Sequence, residues 1–202
     1  PRRRAEGKVR MAQTASNAVY SKPKAGGAVW TAPAGTKLPT DAVSALDAAF
    51  TAWGYISEDG VTEGHSLSSD SQKAYGGAVV LVMEGGDELT YEFTPLEYTN
   101  PVVQRELYGS DNVKVTGNDL ASVQVTDDSH EAKPFVYEHV LSNGIVERDV
   151  CPSAKVTGID ENTYSSGSAL GPKVTVTPFP DENGVKVYKY FAKVSDVTKG
   201  GK

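Results

Sequence analysis

The chain has 202 residues and a formal net charge of −6, so one domain with a sizeable core is the default. No apolar run approaches the length of a membrane span, no signal peptide is expected because the basic start is not followed by an apolar stretch, and the lone Cys151 excludes an intrachain disulfide framework. Twenty Gly and eleven Pro imply many turns, and the Val, Thr and Tyr of the later two thirds suit pleated surfaces.

The charge is uneven. Arg2, Arg3, Arg4, Lys8 and Arg10 against Glu6 leave residues 1–10 at +4, so the remainder carries −10. Met11 opens a stretch that reads like an ordinary protein start. Pro1 to Arg10 is therefore either an extension from an upstream start or from cloning, or a functional arm for an acidic neighbour or nucleic acid. Ala12 to Lys24 is polar and aperiodic, as in an extended arm, and Ala28-Val29-Trp30 suggests a short strand. The organisation expected is one domain over 1–202: an arm at 1–24, a β core at 25–192 and a tail at 193–202.

From Thr31 to Gly60 runs a long connector. Pro33 and Gly35 break regular structure, and Thr40 or Asp41 is a good N-cap. Val43, Leu46, Phe50 and Trp53 recur at helical spacing, which predicts a short helix over Ala42 to Trp53 stopped by Gly54. Gly64 to Lys73 is a polar, Ser-rich stretch that suits a loop or the tip of a long hairpin.

The clearest β signal lies between Tyr75 and Tyr98. Ala78 to Met83 reads as a continuous apolar strand, and Glu84-Gly85-Gly86-Asp87 as a hairpin turn. Leu89, Tyr91 and Phe93 then alternate with Glu88, Thr90, Glu92 and Thr94. Period two puts the first set towards a core and the second on a polar, acidic face.

Asn100 to Gly109 predicts a short helix: Asn100 caps it, Pro101 takes N1, Gly109 stops it, and Val103 and Leu107 share a face. Short strands are expected at Val113–Thr116, Ser122–Thr126, Phe135–Leu141, Ile145–Val150 and Lys155–Ile159. Lys173–Phe179 and Val185–Phe191 flank Asn183-Gly184, a dipeptide favoured in type I′ hairpins. The fold class expected is mainly β, a sandwich or barrel with one or two short α-helices.

Catalytic chemistry is not expected. His65, His130 and His139 fit no zinc-ligand spacing. Asp127-Asp128-Ser129-His130 reads as a polar turn, since a triad needs separate scaffolded elements and an oxyanion site. Gly167 to Gly171 lacks the Lys-Ser/Thr of a P-loop, and Ser57 to Gly60 lacks the alternating ligands of a calcium loop. No cofactor and no metal are expected, and Cys151 reads as a small buried apolar residue.

The segment AP-x-G-T-x-LPTDA-x-x-x-L-x-x-x-F (Ala32 to Phe50), closing with GYISEDGV (Gly54 to Val61), resembles the N-terminal part of major tail tube proteins of long-tailed, siphovirus-type bacteriophages with actinobacterial hosts. YEFTPLE (Tyr91 to Glu97), Pro101 to Gly109 and PFPDENGVKVYKY (Pro178 to Tyr190) continue it, so the likeness spans roughly Gly27 to Phe191. It implies a structural virion protein. Its subunits would give strands to a ring-forming inner barrel, with six subunits closing each ring and rings stacking into a tube that conducts DNA. Four strands from each of six subunits, spaced ~4.8 Å at a tilt of roughly 40°, make a wall about 50 Å across. The partners implied are further copies of the chain, viral DNA and a tape-measure protein in the lumen, and tail terminator and distal tail proteins at the ends. No membrane partner is implied. Glu88, Thr90, Glu92 and Thr94 would then face the bore, with Leu89, Tyr91 and Phe93 on the core. Carboxylates repel duplex phosphates weakly, by about 0.4 kcal/mol per pair at ~10 Å in water, which favours passage without sticking. A different class, a carbohydrate-binding or host-adhesion β-sandwich of the virion, needs an exposed aromatic platform, and Trp30, Trp53 and the tyrosines do not cluster in sequence to suggest one.

Overall fold

A computed structural model describes residues 17–127 and 130–197. The expectations for Pro1 to Arg10, for Asp128 and Ser129, and for the end of the tail lie outside the described residues. The strands are β1 (Ser21–Pro23), β2 (Val29–Thr31), β3 (Thr51–Ala52), β4 (Ile56–Lys73), β5 (Val79–Pro95), β6 (Val113–Thr116), β7 (Asp119–Val123), β8 (Lys133–Leu141), β9 (Ile145–Ile159), β10 (Val174–Phe179) and β11 (Tyr188–Lys193). Helix α1 (Pro101–Tyr108) follows β5, and a short α2 (Val194–Val197) follows β11. Nine strands form one sheet in the order β3-β2-β8-β9-β10-β5-β4, with β1 and β2 sharing one edge of β8 and β10 and β11 sharing one edge of β9. All its pairings are antiparallel. β6 and β7 form a separate ribbon against α1.

The sheet curls over itself. Tyr91 on β5 stacks on Tyr137 of β8 at 4.1 Å, although β9 and β10 lie between those strands in the sheet. Trp53 meets Phe93 edge-on at 5.0 Å. Such pairs contribute about 0.5–1.5 kcal/mol each beyond their burial. Val103 and Leu107 of α1, Cys151, Ala154 and Val156 of β9, and Val174 and Val176 of β10 complete this inner core. A second cluster covers the outer face of β8 and β9: Val136 and Val150 pack beneath Ala32, Phe50, Leu38 and Leu46 of the connector. The fold is mainly β, with one large antiparallel sheet and one helix of two turns.

The helix expected over Ala42 to Trp53 does not form. Asp41 Oδ1 accepts from the amides of Val43 and Ser44 at 2.6 Å each, and Asp47 Oδ1 from that of Ala49 at 2.9 Å, so local side-chain turns replace helical bonds. The carbonyls of Asp41 and Ser44, which a helix would offer to Ala45 and Ala48, are taken by Arg148. Ala42, Phe50 and Trp53 are nevertheless buried, because the connector lies on the sheet.

The turn expected at Glu84 to Asp87 is also absent. β5 runs through it, and the hairpin closes at Ala74 to Ala78, where Gly76 and Gly77 take φ of 110° and 92°. Gly85 serves close strand approach instead: a Cβ there would overlap Ser68. The Ser-rich stretch Gly64 to Lys73 is the second half of β4.

Ile145–Val150 and Lys155–Ile159 are one strand, β9. Pro152 is accommodated because the pairing with β8 shifts between Phe135↔Cys151 and Lys133↔Ala154. Asn183-Gly184 does not make a β10–β11 hairpin. Both strands pair with β9, end to end, and β11 begins only at Tyr188. Asp181 closes the intervening loop, accepting from Asn183 and Val185 amides at 2.8 and 2.9 Å and from the Tyr188 hydroxyl at 2.8 Å. The strand expected at Ser122–Thr126 lies earlier, as β7. Helix α1 has the expected caps: Asn100 Oδ1 accepts from Val102 N at 2.9 Å, and Gly109, at φ 89°, donates to Arg105 O.

Candidate assembly surface

β5 sorts its side chains by alternation. Leu89, Tyr91 and Phe93 lie in the inner core. Glu88 is exposed, and Thr90, Glu92 and Thr94 are half-buried on the opposite face. That face extends over four adjacent strands, because Thr62 and Thr175 flank Glu92 and Lys155 pairs with Thr177. The hydroxyls of Thr157 and Thr177 approach to 2.7 Å. The result is a broad, threonine-rich surface of small polar side chains. Its charge is mixed: Lys173 Nζ lies 3.0 Å from Glu92 and 3.6 Å from Asp160. The Glu92 hydrogen bond and charge hold the Lys173 ammonium above its ordinary range. Of the two carboxylates expected on this face, Glu92 is therefore paired with a cation.

Beyond Leu89 the β4–β5 ladder leaves the sheet. β10 pairs with β5 only between Tyr91 and Phe93, so Val79 to Glu88 has β4 on one edge and no strand on the other among the described residues. β4 ends the sheet, so its outer edge too has no strand among the described residues. Val79, Val80, Leu81, Val82 and Met83 are 47–63% exposed. Val79 to Met83 thus offers apolar side chains and an unpaired backbone edge at once.

Sequence reasoning missed two buried polar groups. In one, Glu138 accepts from Arg148 and from Lys24, whose Nζ is 2.7 Å away. In the other, Asp149 Oδ2 accepts from the Tyr91 hydroxyl at 2.9 Å and lies 3.3 Å from Lys189, which also pairs with Glu63. Burial, with Asp149 and Glu63 beside it, pushes the Glu147 carboxyl up, although Lys189 opposes. Burial also pulls the His139 imidazole down. For Lys189, burial lowers the value, but the Glu63 hydrogen bond and the charges of Asp149 and Glu63 outweigh it and raise it. The signal available was charge inside strand-like sequence, Glu138 within Phe135–Leu141 and Glu147-Arg148-Asp149 within Ile145–Val150, which calls for cross-strand partners.

Other features offer less chemistry. Among the described residues no three His, Cys, Asp or Glu side chains form a metal-binding group. Cys151 is buried, and burial holds its thiol well above its ordinary range. A cleft of about 800 Å³ separates Ser21–Ala28 from Gly54–Val61, where the two ends of the curled sheet face each other, and Tyr55 is the aromatic residue in its lining. No described helix is long and apolar enough to cross a membrane.

These observations define a mainly-β protein with a protruding two-stranded arm and open sheet edges. No protein-family model matches the chain, and no curated protein matches it in sequence.

Proposed function

We propose that this chain is a structural subunit that assembles with copies of itself into the tube of a long-tailed virion, and that it works without catalytic turnover or cofactor. The observation that carries the reading is the β4–β5 arm, with its five consecutive exposed apolar residues and two open edges. An isolated two-stranded hairpin is marginal in water, and long apolar edges invite pairing with another chain. Lateral joining of arms into a closed barrel removes every edge. Six such subunits close a ring, and rings stack into the tube.

In that assembly the threonine-rich face of β4, β5, β10 and β9 lines the bore, with Glu88, Thr90, Glu92 and Thr94 among its residues. Because Lys173 offsets Glu92, the lining repels DNA less than a wholly acidic one. It still lacks the dense cationic surface that grips phosphates and releases counterions. Viral DNA and a tape-measure protein pass through this lumen, and terminator and distal tail proteins meet the tube ends. Electron microscopy and sedimentation of the concentrated protein test the reading. Rings or tubes of uniform width are expected, and a sample that remains monomeric at every concentration overturns it.

A further inference from the structure

The β4–β5 arm is tied to the body at its root. Leu89, Tyr91 and Phe93 lie in the inner core, and β10 pairs with Tyr91 to Phe93. Two lysines from beyond β10 also reach the root. Lys189 Nζ lies 2.5 Å from Glu63 on β4, and 3.3 and 3.9 Å from Asp149 and Glu147 on β9. One ammonium thus joins arm and body. The Tyr91 hydroxyl donates to the same Asp149 oxygen at 2.9 Å. Lys186 Nζ donates to the Asp87 carbonyl. Beyond these ties, the side chains described from Ser66 to Met83 are all exposed.

The ladder changes where root meets tip. Leu67 pairs with Asp87 and Ser69 with Glu84, so Ser68 stands against two residues, Gly85 and Gly86. That is a β-bulge, which bends a strand and interrupts its ladder. Both extra positions are glycine, which brings no side-chain packing and the greatest backbone freedom. A Cβ at Gly85 would overlap Ser68, whereas Gly86 faces open space. Ser68 Oγ donates to the Gly86 carbonyl at 3.0 Å. The bulge falls directly after Asp87, where the Lys186 tie ends. The tip beyond it carries Tyr75 and Val79 to Met83, all exposed.

We infer that the arm is jointed: Lys189 and Lys186 clamp its root to the body, and the tip swings as a unit about Ser68, Gly85 and Gly86. The apolar tip can then change its angle while Leu89, Tyr91 and Phe93 stay in the core. The device belongs to a single chain and goes beyond the assembly reading, so either can fail alone.

Distances between paired spin labels test it in dilute full-length protein, since the buried native Cys151 does not compete for label. One label sits at Thr116→Cys on β6, the other at Ser66→Cys on the root or Ser71→Cys on the tip, all exposed positions. The tip distribution should be broader than the root distribution. Gly86→Ala, which meets open space and has no positive φ to strain it, should narrow the tip distribution by removing backbone freedom. Glu63→Ala with Lys186→Met removes both ties of the arm and leaves Asp149 paired with Lys189. It should broaden the root distribution while native Trp fluorescence is kept. A tip distribution no broader than that of the root, or one unchanged by Gly86→Ala, would overturn the joint. A root distribution unchanged in the double variant, or broadened only with loss of native fluorescence, would overturn the clamp. Neither result bears on whether copies assemble.

Discussion

Arg148 and Glu138 are register partners across the β8–β9 ladder, and the guanidinium donates from Nε and Nη2 to one carboxylate oxygen at 2.9 and 2.6 Å. The same guanidinium reaches the Asp41 and Ser44 carbonyls at 2.7 and 2.9 Å. One side chain thus joins the two central strands and pins the connector across their outer face. Both charges are nearly inaccessible, at 1% and 3% exposure. The pair is therefore costly to break and modest as a net source of stability.

Arg148→Met should lower stability by about 3–5 kcal/mol, because Glu138 keeps only Lys24 and the connector loses its anchor. Adding Glu138→Leu should restore much of the loss, since two apolar side chains tolerate that site better than one unpaired charge. Urea denaturation followed by Trp fluorescence reads both. A loss below about 1 kcal/mol for the single variant would contradict the clamp.

Burial depresses His139 below its ordinary value of 6.5, with Asp149, Glu138 and Glu63 opposing the shift and Lys189 reinforcing it. The folded state therefore favours the neutral ring. The stability this gives is present above pH 6.5 and is lost as the pH falls from there through the lower folded-state value. His130 shifts the same way, through burial, Lys155 and Lys133. Urea midpoints between pH 7.5 and 5.5 should fall less in His139→Asn than in wild type, and least when His130→Asn is added. Parallel curves for all three proteins would refute the assignment.

Gly54 has φ +81°, and a Cβ there would overlap the Glu97 carboxylate. That carboxylate accepts from Tyr55 N and from Asn100 Nδ2, at 2.9 Å each. Gly54→Ala should cost about 1–3 kcal/mol from backbone strain and displacement of Glu97. Thermal denaturation should show the drop, and an unchanged midpoint would rule the close approach out.

Asn100→Ala removes the acceptor for Val102 N and should cost about 1 kcal/mol. Faster amide exchange confined to the first turn of α1 would distinguish cap loss from global unfolding.

Patterns that act within one element were legible in the sequence. Alternation in β5 sorted Leu89, Tyr91 and Phe93 from Glu88, Thr90, Glu92 and Thr94, because successive side chains on a strand point to opposite faces. The caps of α1 were legible for the same reason, since a cap is a bond between residues two to four apart. Glycine position alone was ambiguous. Gly85-Gly86 and Gly76-Gly77 both suit a turn, and only the pairing of β4 with β5 places it at the second pair.

Residue order alone specified a mainly-β chain with a strongly alternating strand, one capped helix and an uneven charge. The tertiary structure alone decided that Ala42 to Trp53 lies as an irregular cover held by Arg148, more than a hundred residues away, and that β10 and β11 both join β9. It alone left Val79 to Met83 paired with β4 on one edge and, among the described residues, with no strand on the other. These outcomes depend on which distant segments compete for the same backbone groups and the same sheet edge, and a local propensity worth fractions of a kcal/mol per residue yields to that competition.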